Sequence, residues 1–302
     1  MGDFMEIWNS ETAAAIRESI FDGTFRFCNK KLCPRIIEGL IEEEVIPAEL
    51  ETTIKEKKTH LYTGPEHLSL NYDYSCNLYC KSCRNQRRIM DRDSADKLIE
   101  FQDSLLKSNI FKGVRRLTIT GAGEPFASRV FMNLLSKIDS SKHPNLKITL
   151  RTNGNLLTPK NWQRIENAHF AIDAISISMD AATEKTYHLL RRGGNFKKLL
   201  TNLEFLKMVK ETKKIKVGLN FVVQKNNFKE MPKFVKLAKK FHCDEVAFTQ
   251  LMDRGTYSQE EFSEYAVHQP EHPDSRKLKK IMGKPIFKDP IVSFNNLSLL
   301  LD

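Results

Sequence analysis

From about residue 66 onward the chain alternates two hydrophobic rhythms. Runs rich in Val, Ile, Thr, Leu and Phe occur at LSLNYDY (68–74), RRLTIT (115–120), LKITLRT (146–152), AISISM (174–179), KVGLNFVV (216–223) and EVAFTQL (245–251). Each predicts a β-strand. Between them apolar residues recur at helical spacing. After DRDS, Leu98, Phe101, Leu105 and Leu106 share one face. After Asn195, a suitable N-cap, so do Phe196, Leu199, Leu200, Leu203 and Leu206. Met231, Phe234, Val235, Ala238 and Phe241 mark a third helix from about Lys229, with Pro232 tolerable only in its first turn. Six β–α repeats imply parallel strands joined by right-handed crossovers. Periodicity leaves two architectures open, a doubly wound sheet or a barrel, complete or not.

The two ends read differently. Ser10 is placed to cap a helix whose face carries Ala13, Ile16 and Ile20, and Gly23 is a natural stop. FRFCNKKLCPRI follows, with Cys28 and Cys33, and EEE and KEKK make residues 42–58 a polar connector. Beyond Arg254 strand signals are few, and HQPEHPD reads as a loop that keeps His268 and His272 in a loop role. The chain thus divides into an N-terminal segment (1–58), a β–α core (59–254) and a C-terminal extension (255–302).

Composition narrows the function classes. The 302 residues are 40 % apolar and 28 % charged, as in a globular protein with a sizeable core. No apolar run reaches about 18 residues, so no membrane span is expected. The first residues lack the basic flank and apolar run of a signal peptide, and a cytoplasmic location is expected. The net charge of +10 comes largely from lysines scattered over helical faces, so a solvated surface is expected rather than a nucleic-acid footprint. No P-loop is present, and no Ser–His–Asp or paired-carboxylate arrangement is readable from residue order.

The cysteines change the picture. Of six in the chain, Cys76, Cys80 and Cys83 fall inside CNLYCKSCR, just after the first strand. In a reducing compartment such a cluster points to metal ligation or catalysis rather than disulfides. Loops at strand C-termini are where βα folds place their chemistry. Zinc would want a fourth Cys or His, and the nearest later histidine is His143. A 4Fe–4S cubane bound by three thiolates keeps one iron open to a further ligand.

C-x3-C-x2-C after the first strand of a βα series resembles the signature of radical S-adenosylmethionine (SAM) enzymes. The resemblance spans roughly residues 66–251. It implies a partial (β/α)6 barrel, an α/β fold open on one side. It implies a 4Fe–4S cluster on Cys76, Cys80 and Cys83, whose open iron chelates SAM, and reductive cleavage of SAM to a 5′-deoxyadenosyl radical. TGAGEP after the second strand is similar to the family's GGEP motif and brings Gly121, Ala122, Gly123, Glu124 and Pro125 toward SAM, with Ala122 where glycine is common. Asn153, in TNG, resembles the asparagine near SAM. SISMD resembles the SxD element, with Ser178 and Asp180. Arg191, with Arg192 as the alternative, is implied as partner of the SAM carboxylate. Ser82 stands where the family often has an aromatic residue, so adenine contacts are expected around Val222 and Leu251 instead. A one-electron donor such as flavodoxin or ferredoxin is implied as a partner.

EIWNSETAAAIRESIFDGTFRFCNKKLCPRI resembles the SPASM segment of many radical SAM maturases, which binds an auxiliary iron–sulfur cluster. Cys28 and Cys33 would supply two thiolates to such a second cluster. In the family the segment usually follows the barrel and draws further cysteines from upstream, so the expectation here is an incomplete set, with the remainder on another polypeptide. Cys243 reads as a small buried hydrophobe. The SPASM likeness implies a peptide or protein substrate, with a carbohydrate-linked small molecule as the alternative. The competing classes are a non-catalytic iron–sulfur electron carrier or scaffold and a zinc-structured nucleic-acid binder.

Overall fold

All six predicted runs form strands: β1 (His67–Leu70), β2 (Arg116–Ile119), β3 (Lys147–Thr152), β4 (Ile172–Ser178), β5 (Lys216–Val223) and β6 (Glu245–Gln250). The structure is a computed structural model and describes residues 4–30, 36, 48–120 and 122–301. A seventh strand, β7 (Val292–Ser293), pairs with β6 from within the tail that reads as poor in strand. Two residues are too few to show alternation, so this strand has no periodic signature. β1 is shorter than LSLNYDY suggests. It stops at Leu70, and the chain peels off the sheet because Asp73 turns it: the Asp73 carboxylate accepts from Ser75 N–H (2.7 Å) and from the Ser128 hydroxyl.

Strand order decides between the two architectures. The seven strands run β1-β2-β3-β4-β5-β6-β7, every neighbouring pair parallel. A doubly wound sheet reverses its order at a switch point. Here the order never reverses, so right-handed crossovers place the connecting helices on one side. That is the winding of a barrel, left open because β1 and β7 do not pair. The predicted partial barrel is therefore the observed fold, with one short strand more.

The connecting elements follow the sequence signals closely. They are α1 (Phe4–Trp8), α2 (Glu11–Phe21), α3 (Ala48–Lys55), α4 (Arg92–Lys107), α5 (Asn109–Lys112), α6 (Arg129–Lys137), α7 (Pro159–Gln163), α8 (Glu184–Leu190), α9 (Phe196–Thr212), α10 (Met231–Lys240), α11 (Gln259–Tyr265) and α12 (Ser275–Met282). Asn195 caps α9, its side chain accepting from Lys198 N–H at 2.8 Å. Pro232 sits in the first turn of α10, where its missing N–H costs nothing. Helix-facing strand residues are buried. Phe221 meets Phe234 of α10 and Phe248 of β6, with ring centroids 4.7 and 5.4 Å apart. The other face is polar and solvated: Ser69, Thr118, Thr149, Arg151, Ser176, Ser178, Asn220 and Thr249 are half-buried or exposed there.

The chain forms two compact units, Met1–Glu66 with Gln102–Val114, and His67–Phe101 with Arg115–Asp302. In the first, Ser10 caps α2 and Gly23 follows it at φ +72°, as the sequence predicts. Trp8, Asn9 and Arg17 tie α1 and α2 to residues 59–63. The Asn9 amide donates to Leu61 C=O and accepts from Leu61 N–H, each at 2.8 Å. Arg17 donates to Thr59 C=O and Trp8 C=O and stacks over the Trp8 ring, while Trp8 Nε1 donates to Thr63 C=O. Cys28 is exposed in the turn after α2, and Cys33 lies outside the described residues. Among the described residues no helix is long and apolar enough to cross a membrane.

Candidate active site

The loop after β1 carries the three thiols. Cys76 N–H donates to Arg88 C=O at 2.8 Å, closing a one-residue antiparallel bridge across the loop. Cys83 and Arg84 N–H both donate to Cys80 C=O, so the second half winds into a tight turn. Cys76 and Cys80 are buried and Cys83 is exposed, and all three are free thiols. Each sulfur has a polar neighbour aimed at it. Asn153 Nδ2 lies 3.8 Å from Cys76 Sγ, an Arg191 nitrogen 3.8 Å from Cys80 Sγ, and an Arg84 nitrogen 3.5 Å from Cys83 Sγ. Burial pushes the Cys76 thiol up to about 11 and raises Cys80 as well, against the pull of Arg191.

Thr120 and residues 122–125 pack directly against this loop. A Cβ on Gly123 would sit 2.4 Å from Asp73 C=O and 2.9 Å from Ser75 C=O, so only glycine allows the approach. Thr120 adopts φ +51°, and its hydroxyl accepts from the N–H of Ala122 and of Gly123. The Ala122 carbonyl accepts from Arg84. Gly121 lies outside the described residues. Glu124 is buried and spends both oxygens inside the protein. Oε1 accepts from the Thr152 hydroxyl (2.7 Å) and Phe126 N–H, and Oε2 from Asn153 N–H (2.6 Å). Burial lifts its pKa to about 7, and those same bonds hold it from rising further. Pro125 opens a short 3-10 turn (Pro125–Ala127) before α6.

β3 and β4 complete the site. Glu124 fixes Asn153, whose side chain also donates to Asn77. Ser178, the last residue of β4, is half-buried on the polar face of the sheet. Asp180 is buried at φ +58° and pairs with Arg191 at 2.8 Å, and its other oxygen accepts from Val222 N–H. Burial raises the Asp180 carboxyl. For Arg191, burial alone would lower the pKa, but Asp180 and Cys80 outweigh it and the net shift is upward. Arg192 offers its carbonyl to Tyr79 N–H instead. Val222 is half-buried on the polar face, and Leu251 is buried just past β6.

Several residues in this constellation have no motif to announce them. Arg84 clamps Tyr74 C=O, Ala122 C=O and Cys83 Sγ together. Its place next to the third cysteine is the one sequence signal it offers. Tyr187 and Asn155 bond behind Arg191, and Asn227 holds Asp180 C=O. Lys81, between the second and third cysteines, pairs with Glu261 of α11 and lies under the rings of Tyr257 and Tyr265. The histidines of the tail stay structural. His272 donates through Nε2 to Glu264 C=O and accepts at Nδ1 from Asp274 N–H.

The donor set fits a 4Fe–4S cubane. Among the described residues no three His, Cys, Asp or Glu side chains converge as ligands of one metal ion. A cubane asks for less convergence, because its thiolates go to different irons. Ligation also answers the raised thiol pKa, since a coordinating thiol is deprotonated outright. The N–H groups aimed at each sulfur are of the kind that stabilise cluster-bound thiolates. Cys243 lies outside this loop, just before β6; it is buried, and burial pushes its thiol up to about 12.

Comparison with known proteins gives a consistent family and varied activities. The radical SAM superfamily matches residues 70–238. GTP 3′,8-cyclase of Alkaliphilus oremlandii is 29 % identical over 189 residues, 61 % of this chain and 55 % of the relative. GTP 3′,8-cyclase of Petrotoga mobilis is 29 % identical over 205 residues, 64 % of this chain and 58 % of the relative. The chain thus spans little more than half the length of these relatives. Among solved structures, SuiB of Streptococcus suis superimposes with a TM-score of 0.54 at 17 % identity, over 94 % of this chain and 61 % of that one. At that identity the likeness speaks for the fold alone.

Proposed function

The chain belongs to the radical SAM superfamily, and from that premise we propose that it cleaves S-adenosylmethionine reductively to initiate hydrogen abstraction from a peptide or protein. The family's cofactors are a 4Fe–4S cluster and S-adenosylmethionine. The observation that carries the reading is the three-thiol loop at the C-terminal strand ends, with a hydrogen-bond donor aimed at each sulfur. When bound, the cluster supplies the electron that breaks the C5′–S bond. Cys76, Cys80 and Cys83 would hold it. Asn153, Arg191 and Arg84 withdraw electron density from the sulfurs through their N–H groups, which bears on the potential. Glu124 and the Asp180–Arg191 pair fix the loops that frame S-adenosylmethionine, with Ala122, Gly123, Asn153 and Ser178 nearest to it in our assignment.

We keep residues 59–254 as the radical SAM core and residues 1–58 as a SPASM-like segment, with Cys28 and Cys33 assigned to an auxiliary cluster. We also keep a cytoplasmic location, where free thiols stay reduced. The peptide preference rests on that segment and on the unpaired β1–β7 side, which gives an extended substrate a way in. A nucleotide substrate is the second reading, favoured by the GTP cyclases among the relatives.

The test is anaerobic reconstitution. About one 4Fe–4S cluster should assemble, and dithionite with S-adenosylmethionine should release 5′-deoxyadenosine. Replacing the three cysteines by alanine should abolish both, and reductive cleavage that persists in that variant sinks the proposal. A cluster without cleavage would favour the electron-carrier reading. Adding GTP or peptides encoded beside the gene, and following deoxyadenosine and product mass, separates the two substrate readings.

A further inference from the structure

Arg151 is an exposed cation on the polar inner face of the sheet, and the chemistry above does not use it. Among the described residues it makes no hydrogen bond and no ion pair. Its place on β3 is next to the site. Asn153 follows two positions later, about 7 Å along the chain, and its amide is aimed at Cys76 Sγ. Across the sheet Arg151 stands in register with Ser176, then Gly218, then Glu245. The Ser176 hydroxyl accepts from Asn220 Nδ2 at 2.6 Å, which fixes its oxygen and leaves its own proton to donate. A guanidinium and a serine O–H thus face the barrel interior side by side. Toward the site the next row is Ser178, Asn220 and Ala247, which carries no charge.

The other charged strand residues of this face stand apart. Arg116 and Lys147 share a row at the opposite strand end, and Lys147 is paired with Asp173 at 3.6 Å. Lys216 lies two strands over, in the row of Thr149 and Ala174. Glu245 is three strand spacings from Arg151, about 14 Å. A Cβ on Gly218 would lie 3.5 Å from Glu245 Oε2, so the carboxylate leans over the gap that the glycine leaves.

On the radical SAM reading above, we propose that Arg151 and Ser176 form the subsite for a carboxylate of the peptide substrate, and so select a target that carries one. The guanidinium is a planar fork that matches a carboxylate with two parallel N–H bonds, and the Ser176 O–H adds a third donor. The number of charges decides between oxyanions. One unpaired cation near the site, with Glu245 across the row, balances a single negative charge. A nucleoside triphosphate would bring several and meet one cation and a like charge. A carboxylate held on Arg151 anchors the carbons next to it beneath Asn153 and the cysteine loop.

The test crosses variants with probes. Each peptide encoded beside the gene is made in three forms: as encoded, with Asn and Gln for every Asp and Glu, and with an amidated C-terminus. These forms and GTP are titrated by calorimetry onto wild-type protein, Arg151→Gln, Arg151→Lys and, as a control on the same face, Lys216→Gln. Arg151 is exposed and unpaired, so its replacement leaves neither a cavity nor an orphaned partner. Wild type should bind a carboxylate form about tenfold or more tighter than its neutral counterpart. The Asn/Gln form reports a side-chain carboxylate and the amidated form a C-terminal one. Arg151→Gln should erase the preference and keep the affinity for the neutral form, which a general loss of structure would not do. Arg151→Lys should retain part of it, since the charge persists without the fork, and Lys216→Gln should match wild type. A preference that survives in Arg151→Gln overturns the subsite, as does a wild type that favours no carboxylate form or binds no peptide. GTP bound more tightly than every peptide, and lost in Arg151→Gln, puts a phosphate there and overturns the carboxylate. Absence of dithionite-driven deoxyadenosine release in wild type removes the radical SAM reading instead. The binding cycle needs no turnover, so the two failures are distinguishable.

Discussion

Along β5 alternate residues live in different environments. Leu219, Phe221 and Val223 are fully buried on the face where Phe221 meets Phe234, whereas Gly218, Asn220 and Val222, one position out of phase, are half-buried on the other. The same split runs through β2 and β3, where Leu117, Ile119, Ile148 and Leu150 are buried and Thr118, Thr149 and Arg151 are not. The outer face therefore carries the apolar burial that stabilises the fold. The inner face carries hydroxyls, amides and the exposed guanidiniums of Arg116 and Arg151, groups that can change without removing core volume. The candidate site lies at the end of the second face, where the loops after β1 to β4 meet.

The largest effect is expected on the buried face. Phe221→Ala should cost about 3–5 kcal/mol in urea unfolding, through lost contacts with Phe234 and Phe248. Asn220→Ala, its inner-face neighbour, loses a bond to Ser176 Oγ and should cost only about 1 kcal/mol. Equal losses would mean that the two faces share the load. A comparable cost is expected where the inner face meets the loops. Arg191→Met leaves Asp180 buried without its cation and should cost about 3–5 kcal/mol. Asp180→Asn in the same chain should recover part of that loss, and a double variant no more stable than Arg191→Met alone would show that the pair is not coupled.

A smaller effect sharpens the boundary of the site. Gly123→Ala pushes a methyl against the carbonyls of Asp73 and Ser75, backbone atoms that cannot swing aside. About 1–3 kcal/mol of strain is expected. Iron uptake on reconstitution should fall more than the melting temperature does, because the strain lands on the loop that leads into Cys76. A variant that melts lower but loads iron normally would place the strain elsewhere.

The smallest effect lies far from the site. His268 is half-buried and its Nδ1, a buried atom, has no partner among the described residues; burial and nearby His272 push its pKa down to about 4. The folded state thus holds the neutral ring while the unfolded chain takes up a proton near pH 6.5. Its contribution to stability is full above that value and is lost as the pH falls toward 4. His268→Gln should flatten the pH dependence of unfolding between pH 7 and 5 and leave deoxyadenosine release unchanged. An unchanged slope would mean that the ring titrates normally.

Local patterns along the chain account for most of its elements. Alternation in KVGLNFVV and LKITLRT located strands within a residue or two, because one face of each is buried and the period is two. Ser10, Asn195 and Gly23 marked helix ends, because capping is a local bond between residues a few positions apart. The cysteine spacing and the stretches after each strand pointed to the family, since these lie in short contiguous loops. What the tertiary structure decided is long-range. Barrel rather than doubly wound sheet follows from strand order, which no local pattern encodes. Asp73 meets Ser128 across 55 residues, Arg191 reaches Cys80 across 111, and Lys81 reaches Glu261 across 180. β7 became a strand only because β6 was there to pair with. Such contacts join residues whose types are ordinary at their own positions, and only the closing of the chain brings them within reach.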